Sequence, residues 1–323
     1  MKVSWLLPVR DGRRWLRRAV DSGLSECGPG DEFIVVDDGS TDRPAEILPG
    51  DPRLTLLHQP PSGIVAALER GRAAASGDLI ARLDCDDVAL PGRIAAQRAL
   101  LAADPRLGAV GGQAELEGAM GEGMRRYVDW VSGLSDLHTA LLVESPLFHP
   151  AVTIRADALA AVGGYRDGDF PEDYDLWLRL AAAGWRLASV AQPVVRLLDR
   201  PDRLTRADPR YRRAAFTTLK MEHLTATRLA APSRVVVWGA GRSGKPWIRW
   251  LLEQGHTMPV VVDMFVRTTR RGVPVVAPEA IASVELDLLI VAVGARGARA
   301  EIRRMLAALR PDLKEGTDWI AVC

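Results

Sequence analysis

Residues 81–88 read Ala81-Arg82-Leu83-Asp84-Cys85-Asp86-Asp87-Val88, three carboxylates in four positions directly behind the apolar residues Leu79, Ile80, Ala81 and Leu83. The apolar run has the composition of a buried strand. A buried strand that ends in clustered acids is costly unless positive charge neutralises them. A divalent cation held by oxygen ligands, its shell completed by phosphate oxygens, answers that need. The stretch therefore predicts a metal–diphosphate site at the C-terminal end of a strand. Asp87 is expected either to stand behind the ligands or to lead into the next helix. Cys85, facing away from its neighbours in an alternating chain, is expected to be structural.

A second acidic strand end lies upstream. Glu32-Phe33-Ile34-Val35-Val36-Asp37-Asp38-Gly39-Ser40-Thr41-Asp42 is a β-rich apolar run that stops at two acids and a Gly-Ser turn. In alternating strand–helix proteins ligands bind just outside the carboxyl ends of strands. A carboxylate there can accept a hydrogen bond from a base N–H or a ribose hydroxyl, although an ordinary Asp-Gly turn reads the same way in isolation. Working outward, residues 3–9 predict a first strand ending at Pro8-Val9-Arg10-Asp11-Gly12. A helix follows with Trp15, Leu16, Ala19, Val20 and Leu24 on one face. Its other face carries Arg13, Arg14, Arg17 and Arg18, either a patch for anionic lipid heads or phosphates or a solvated helix face. Residues 54–58 predict a third strand, and Gly63-Ile64 opens a helix closed by Ser76-Gly77. Residues 78–83 form the fourth strand, Pro91 suits the first position of a helix running to about Ala103, and 108–116 read as a further strand.

At 323 residues the chain can bury a sizeable core and make two domains. A net charge of +1 gives no electrostatic case for nucleic acid. Cys27, Cys85 and Cys323 lack metal-ligand spacing and predict reduced thiols in a cytoplasmic protein. No apolar run approaches the about 20 residues of a membrane span, and the N-terminal run is too short for a signal peptide. A lipid-linked substrate would therefore be met by peripheral contact at the inner face of the membrane.

Pro8-Val9-Arg10-Asp11-Gly12, Val35-Val36-Asp37-Asp38-Gly39-Ser40, Gly63-Ile64-Val65-Ala66-Ala67-Leu68 and Leu83-Asp84-Cys85-Asp86-Asp87 occur in that order. The ordered set resembles the family 2 glycosyltransferases, over roughly residues 1–200. The resemblance implies an α/β GT-A domain that binds a nucleotide-sugar, in the first instance a UDP-sugar. Pro8, Val9, Asp37, Asp38, Gly63, Arg82, Asp84 and Asp86 would contact the donor, with Mn2+ or Mg2+ on Asp86 and Asp84.

The resemblance also implies a catalytic base further on. Ser145-Pro146-Leu147-Phe148-His149-Pro150 and Gly163-Gly164-Tyr165-Arg166 precede Glu172-Asp173-Tyr174-Asp175-Leu176-Trp177. The Glu172–Asp173 pair ahead of an amphipathic helix is similar to the family's acceptor-side motif, which makes Asp173 the base. A sugar hydroxyl is a poor nucleophile, and a positioned carboxylate takes its proton as the bond to the anomeric carbon forms. Charge on the leaving diphosphate is offset by a metal at Asp86, and a single displacement inverts the anomeric centre. Acids are also favoured at any helix N-terminus, which accounts for the composition of the pair but not for its place. Glu172 and Trp177 are read as acceptor-side residues. His149 is read either as a sugar contact or as a hydrogen-bonded structural histidine. Many members carry a late histidine or arginine at the diphosphate. Arg196-Leu197-Leu198-Asp199-Arg200-Pro201-Asp202-Arg203-Leu204 holds no histidine, leaving Arg200 or Arg203 for that role. Residues 118–130, on the acceptor side, carry no readable motif.

Ala230-Ala231-Pro232-Ser233 is the best boundary, dividing a GT-A domain (1–230) from a second α/β domain (231–323). The second begins with Arg234-Val235-Val236-Val237-Trp238 and Gly239-Ala240-Gly241-Arg242-Ser243-Gly244, and a later strand ends at Asp263. Gly239, Gly241, Gly244 and Asp263 have the arrangement of a Rossmann-like nucleotide site. The domain has no Tyr-x-x-x-Lys pair, so binding of a nucleotide or NAD(P), assembly, or simple packing are its candidate roles.

The whole predicts an inverting, metal-dependent hexosyltransferase of polysaccharide biosynthesis. It would move a sugar from a nucleotide-sugar to a hydroxyl of a glycan, a lipid-linked or a small-molecule acceptor. One rival is a non-catalytic nucleotide-sugar-binding or regulatory protein on the same fold, against which the intact acidic pairs argue. The other is a bifunctional enzyme with a redox-active second domain.

Overall fold

A computed structural model describes residues 1–118, 121–200, 203–266 and 268–323, and every count below refers to these. Pro201 and Asp202 of the late arginine segment, and residues 119–120 of the 118–130 stretch, lie outside them. The chain forms two compact units, residues 1–137 with 146–219 and residues 138–145 with 220–323.

The first unit opens with β1 (Val3–Val9), α1 (Arg13–Glu26), β2 (Glu32–Asp38), β3 (Leu54–Gln59), α2 (Ile64–Ala74) and β4 (Leu79–Arg82). These four strands are parallel, in the order β3-β2-β1-β4. β1 and β4 are buried along their whole length, as near-continuous apolar strands covered on both faces must be. Trp5 of β1 stacks on Phe33 of β2 at 5.7 Å in the core. Parallel strands deliver their carboxyl ends to one edge, and this brings residues 8–12, 37–40 and 82–87 together.

The sheet then changes character. It continues through β5 (Val88–Ala89), α3 (Arg93–Ala103), β6 (Leu107–Gly118), α4 (Glu122–Ser132), α5 (Leu137–Ala140), β7 (Thr153–Arg155), α6 (Ala156–Ala161), α7 (Glu172–Ala182), β8 (Arg186–Asp199), α8 (Leu204–Ala207) and α9 (Arg213–Ala226). β7 pairs antiparallel with both β4 and β6, β6 runs parallel to β8, and β5 pairs antiparallel with β8, completing the eight-stranded order β3-β2-β1-β4-β7-β6-β8-β5. This is a mixed α/β sheet, parallel over its first four strands and mixed beyond them. Pro91, expected at the first helical position, instead precedes a left-handed Gly92 (φ 81°), and α3 starts at Arg93. The division between the units falls within α5 and within α9.

The second unit holds β9 (Val235–Trp238), α10 (Gly244–Glu253), β10 (Val261–Val262), β11 (Thr269–Arg270), β12 (Val273–Val276), β13 (Leu288–Val291), α11 (Ala298–Leu309) and β14 (Trp319–Ala321). Its sheet order is β11-β12-β10-β9-β13-β14, parallel throughout except for β11. The parallel strands thus lie third, second, first, fourth, fifth, the doubly wound Rossmann order, with its direction reversing between β9 and β13.

Candidate active site

Arg93, at the start of α3, fixes the end of β4. Its fully buried guanidinium donates to the carbonyls of Arg82 (2.7 Å), Pro150 (2.8 Å) and Val152 (3.1 Å), so the strand end and the His149–Pro150 turn share one anchor. Burial pushes its pKa down to about 9, still cationic at neutral pH.

Beyond this anchor the chain turns and presents three acids. Oxygens of Asp84, Asp86 and Asp87 all lie within 4.8 Å of one another. Each has a separate partner. Asp84 accepts from buried Arg82 (2.5 Å), Asp86 from Nε of Arg200 (2.8 Å), and Asp87 from the backbone N–H of Leu198 in β8 (2.9 Å). The other Asp87 oxygen is buried without a hydrogen-bond partner. Burial and the neighbouring Asp84 charge push Asp86 up against the pull of Arg200, and push Asp87 well up. Burial acts on Asp84 in the same direction, but Arg82 and Arg203 hold it below the usual carboxylate range. Arg203 donates to the Leu198 carbonyl (3.2 Å). Asp87, expected behind the ligands or as a helix lead-in, has a carboxylate oxygen within the cluster itself.

The β2 end is tightly tied. Asp37, paired in register with Val9 and so beside Pro8, accepts from the Ser40 N–H (2.9 Å) and contacts His58 (3.1 Å). Asp38 accepts from Gln59 (2.7 Å) and from the backbone N–H groups of Ser62 (2.8 Å) and Gly63 (2.9 Å). Gly63 adopts φ 92°, which a side chain would resist, and this aims its N–H at Asp38. Asp11, to which the sequence assigned no role, accepts from the N–H and hydroxyl of Thr41 (2.7 and 2.9 Å) and joins the two strand-end loops.

On the other side, Glu172 and Asp173 are the first residues of α7. Glu172 is buried, accepts from the Tyr211 hydroxyl (2.7 Å), lies 3.7 Å from Nδ1 of His149, and is pushed up by burial. Asp173 is half-buried and accepts from the Tyr174 N–H (2.7 Å). His149 bonds the Tyr165 hydroxyl (3.0 Å), and burial with the nearby Arg82 charge pushes its pKa well down, so its imidazole is neutral. The Arg82 charge thus acts on Asp84 and on Glu172 and Tyr165 alike. The two acidic motifs lie around one buried arginine. Trp177 is 0% exposed and packs edge-on to His149 (6.1 Å), a core position away from the cleft surface. Tyr211 and Trp15 had no signal in the sequence that set them apart from ordinary core aromatics.

Residues 4–151 match the family model described as glycosyl transferase family 2. The match covers most of the first unit, which is similar to the family 2 glycosyltransferases. Curated relatives include an uncharacterized glycosyltransferase of Haemophilus influenzae, 26% identical over 60% of this chain and 75% of its own length. The amylovoran biosynthesis glycosyltransferase AmsE of Erwinia amylovora is 27% identical over 42% of this chain and 50% of its own. The putative glycosyltransferase EpsE of Bacillus subtilis is 27% identical over 64% and 76%. Among solved structures, the mannosyltransferase PcManGT of Pyrobaculum calidifontis, in complex with GDP-Man and Mn2+, has a TM-score of 0.52 at 18% identity, over 79% of this chain and 68% of that one. S. aureus TarS 1-349 with UDP-GlcNAc has a TM-score of 0.52 at 14% identity, over 70% and 67%. At these identities the structures establish the fold.

In the first unit the acidic cluster fits a hard divalent cation: its donors are all oxygen, they converge, and one buried Asp87 oxygen lacks a partner. The arginine face of α1 is largely spent within the unit. Arg13 pairs with Glu46, Arg17 with Asp21 and Arg18 with Glu117, while Arg14 lies over Trp15. Among the described residues no helix is long and apolar enough to cross a membrane.

In the second unit the glycine turn is bound to its own sheet. Asp263 accepts from the backbone N–H groups of Ala240 (2.6 Å) and Phe265 (2.9 Å), and Arg270 donates to the Ala240 carbonyl (2.9 Å). Gly239 has φ 122°, and a Cβ on Gly244 would stand 1.7 Å from the Gly239 oxygen, whereas Gly241 has open space around it.

Proposed function

We propose that the protein is an inverting, metal-dependent glycosyltransferase that moves a sugar from a nucleotide-sugar, in the first instance a UDP-sugar, to a hydroxyl of a glycan, lipid-linked or small-molecule acceptor in polysaccharide assembly. The observation that carries this reading is the placement of Asp84–Asp86–Asp87 and Glu172–Asp173 around buried Arg82 in one unit. Asp173 would take the acceptor proton, and neutral His149 with Glu172 and Tyr211 would hold its helix end in place. Asp37 would meet the base or ribose, with Asp38 and Gly63 framing that loop. Asp84, Asp86 and Asp87 would hold Mn2+ or Mg2+, which supplies electrostatic stabilisation of the leaving diphosphate. The functional division proposed is 1–230 for transfer and 231–323 for nucleotide binding or assembly. The test is Asp173→Asn: transfer should fall by about a hundredfold or more with nucleotide-sugar binding nearly intact. Turnover like that of the wild type would refute the assignment.

A further inference from the structure

We propose that Arg200 is a built-in counter-cation of the acidic cluster, competing with the divalent cation for Asp86 and kept beside the cluster by stacking on Trp15. The proposal rests on the metal assignment above and goes beyond it.

Three carboxylates this close cannot all be charged without positive partners. Arg82 serves Asp84 from within the core. Arg200 serves Asp86 from the other side, its Nε 2.8 Å from Oδ2, with the two side chains only 23% and 8% exposed. The same guanidinium lies 4.1 Å from the centroid of the Trp15 ring. Arg200 is therefore held both by a charge-assisted hydrogen bond and by a cation–π contact.

A divalent cation on Asp86 would meet this guanidinium on a mostly buried carboxylate, where like charges are poorly screened. One of the two has to yield. The Trp15 face gives the planar guanidinium a resting place that does not require Asp86, which a lysine ammonium would use less well. Free cation should then bind weakly, and strongly only once an anionic group such as a diphosphate draws Arg200 off Asp86. Arg203 is the internal comparison. Its charge acts on all three acids, but its Nη1 is engaged with the Leu198 carbonyl.

The experiment is Mn2+ binding to the metal-free full-length protein without nucleotide, followed by the electron paramagnetic resonance signal of free Mn2+. Arg200→Leu should bind Mn2+ about tenfold more tightly than the wild type, the worth of a charge-assisted hydrogen bond. Arg200→Lys, which keeps the charge, should stay near the wild type and shows that the gain is not a folding artefact. Arg203→Leu should tighten binding less than Arg200→Leu. Equal gains from the two leucine variants, or no gain from Arg200→Leu, overturn the competition. Asp86→Asn separates the two readings: if it binds Mn2+ like the wild type, the metal assignment itself fails. If it loses Mn2+ while Arg200→Leu gains nothing, only the present proposal fails.

Discussion

His149 shows how surroundings decide the state of a residue. Burial and the Arg82 charge push its pKa well below the ordinary 6.5. Between that depressed value and 6.5 the unfolded chain binds a proton that the folded chain refuses, so stability rises with pH across this window and is lost as pH falls below 6.5. The expected loss is about 1.4 kcal/mol per pH unit for one full proton. Glu172, raised by burial, works in the opposite sense, gaining stability as pH falls through its folded value toward 4.5. Urea unfolding of wild type and His149→Gln from pH 5 to 8 isolates the histidine: the variant should lose the slope below 6.5, and an unchanged slope would show that His149 is protonated in the fold. The sequence left two readings of His149 open because an isolated His-Pro pair does not reveal what packs against it. Tyr165, which takes its hydrogen bond, and Glu172, 3.7 Å from its Nδ1, lie 16 and 23 residues away. Asp84 and Asp86, by contrast, stood out at once, since acids behind an apolar strand are locally anomalous.

At the scale of elements, the parallel strands were legible because β1, β2 and β4 each carry a dense apolar stretch, with polar residues at a strand end or, in β1, the single Ser4. β8 was not. Its fourteen residues include Pro193, which reads as a strand breaker, yet the structure places Pro193 opposite Gln113 at an irregular register where the β6–β8 ladder is shifted. The glycine turn of the second unit gives an element-level test of what its glycines do. Gly244 admits no Cβ because the obstacle is the backbone oxygen of Gly239, which cannot rotate away, while Gly241 has open space. Gly244→Ala should destabilise the chain by about 2 kcal/mol or more and Gly241→Ala by far less. Thermal or urea unfolding of the two variants checks this. Equal effects would mean that the close approach of the glycine turn to the α10 start is not what Gly244 serves. The spacing alone made the three glycines equivalent; only the packing separates them.

At the scale of the whole molecule, ligand and fold are linked by mass action. A ligand that binds only the folded chain stabilises it by about 2.7 kcal/mol at a hundred times its dissociation constant. PcManGT is solved with GDP-Man and TarS 1-349 with UDP-GlcNAc, two different bases. A panel of UDP- and GDP-sugars, each with Mn2+ and with chelator, should raise the melting temperature for the cognate donor, and more with Mn2+ than without. The excess should vanish in Asp86→Asn, because that substitution removes one anionic oxygen from a cluster whose three members converge within 4.8 Å. A donor that stabilises wild type and Asp86→Asn equally, with and without Mn2+, would place recognition wholly on the β2-end loops of Asp37 and Asp38. The acidic cluster would then be left as an internally compensated ion-pair network, with Arg82 and Arg200 as its counter-charges.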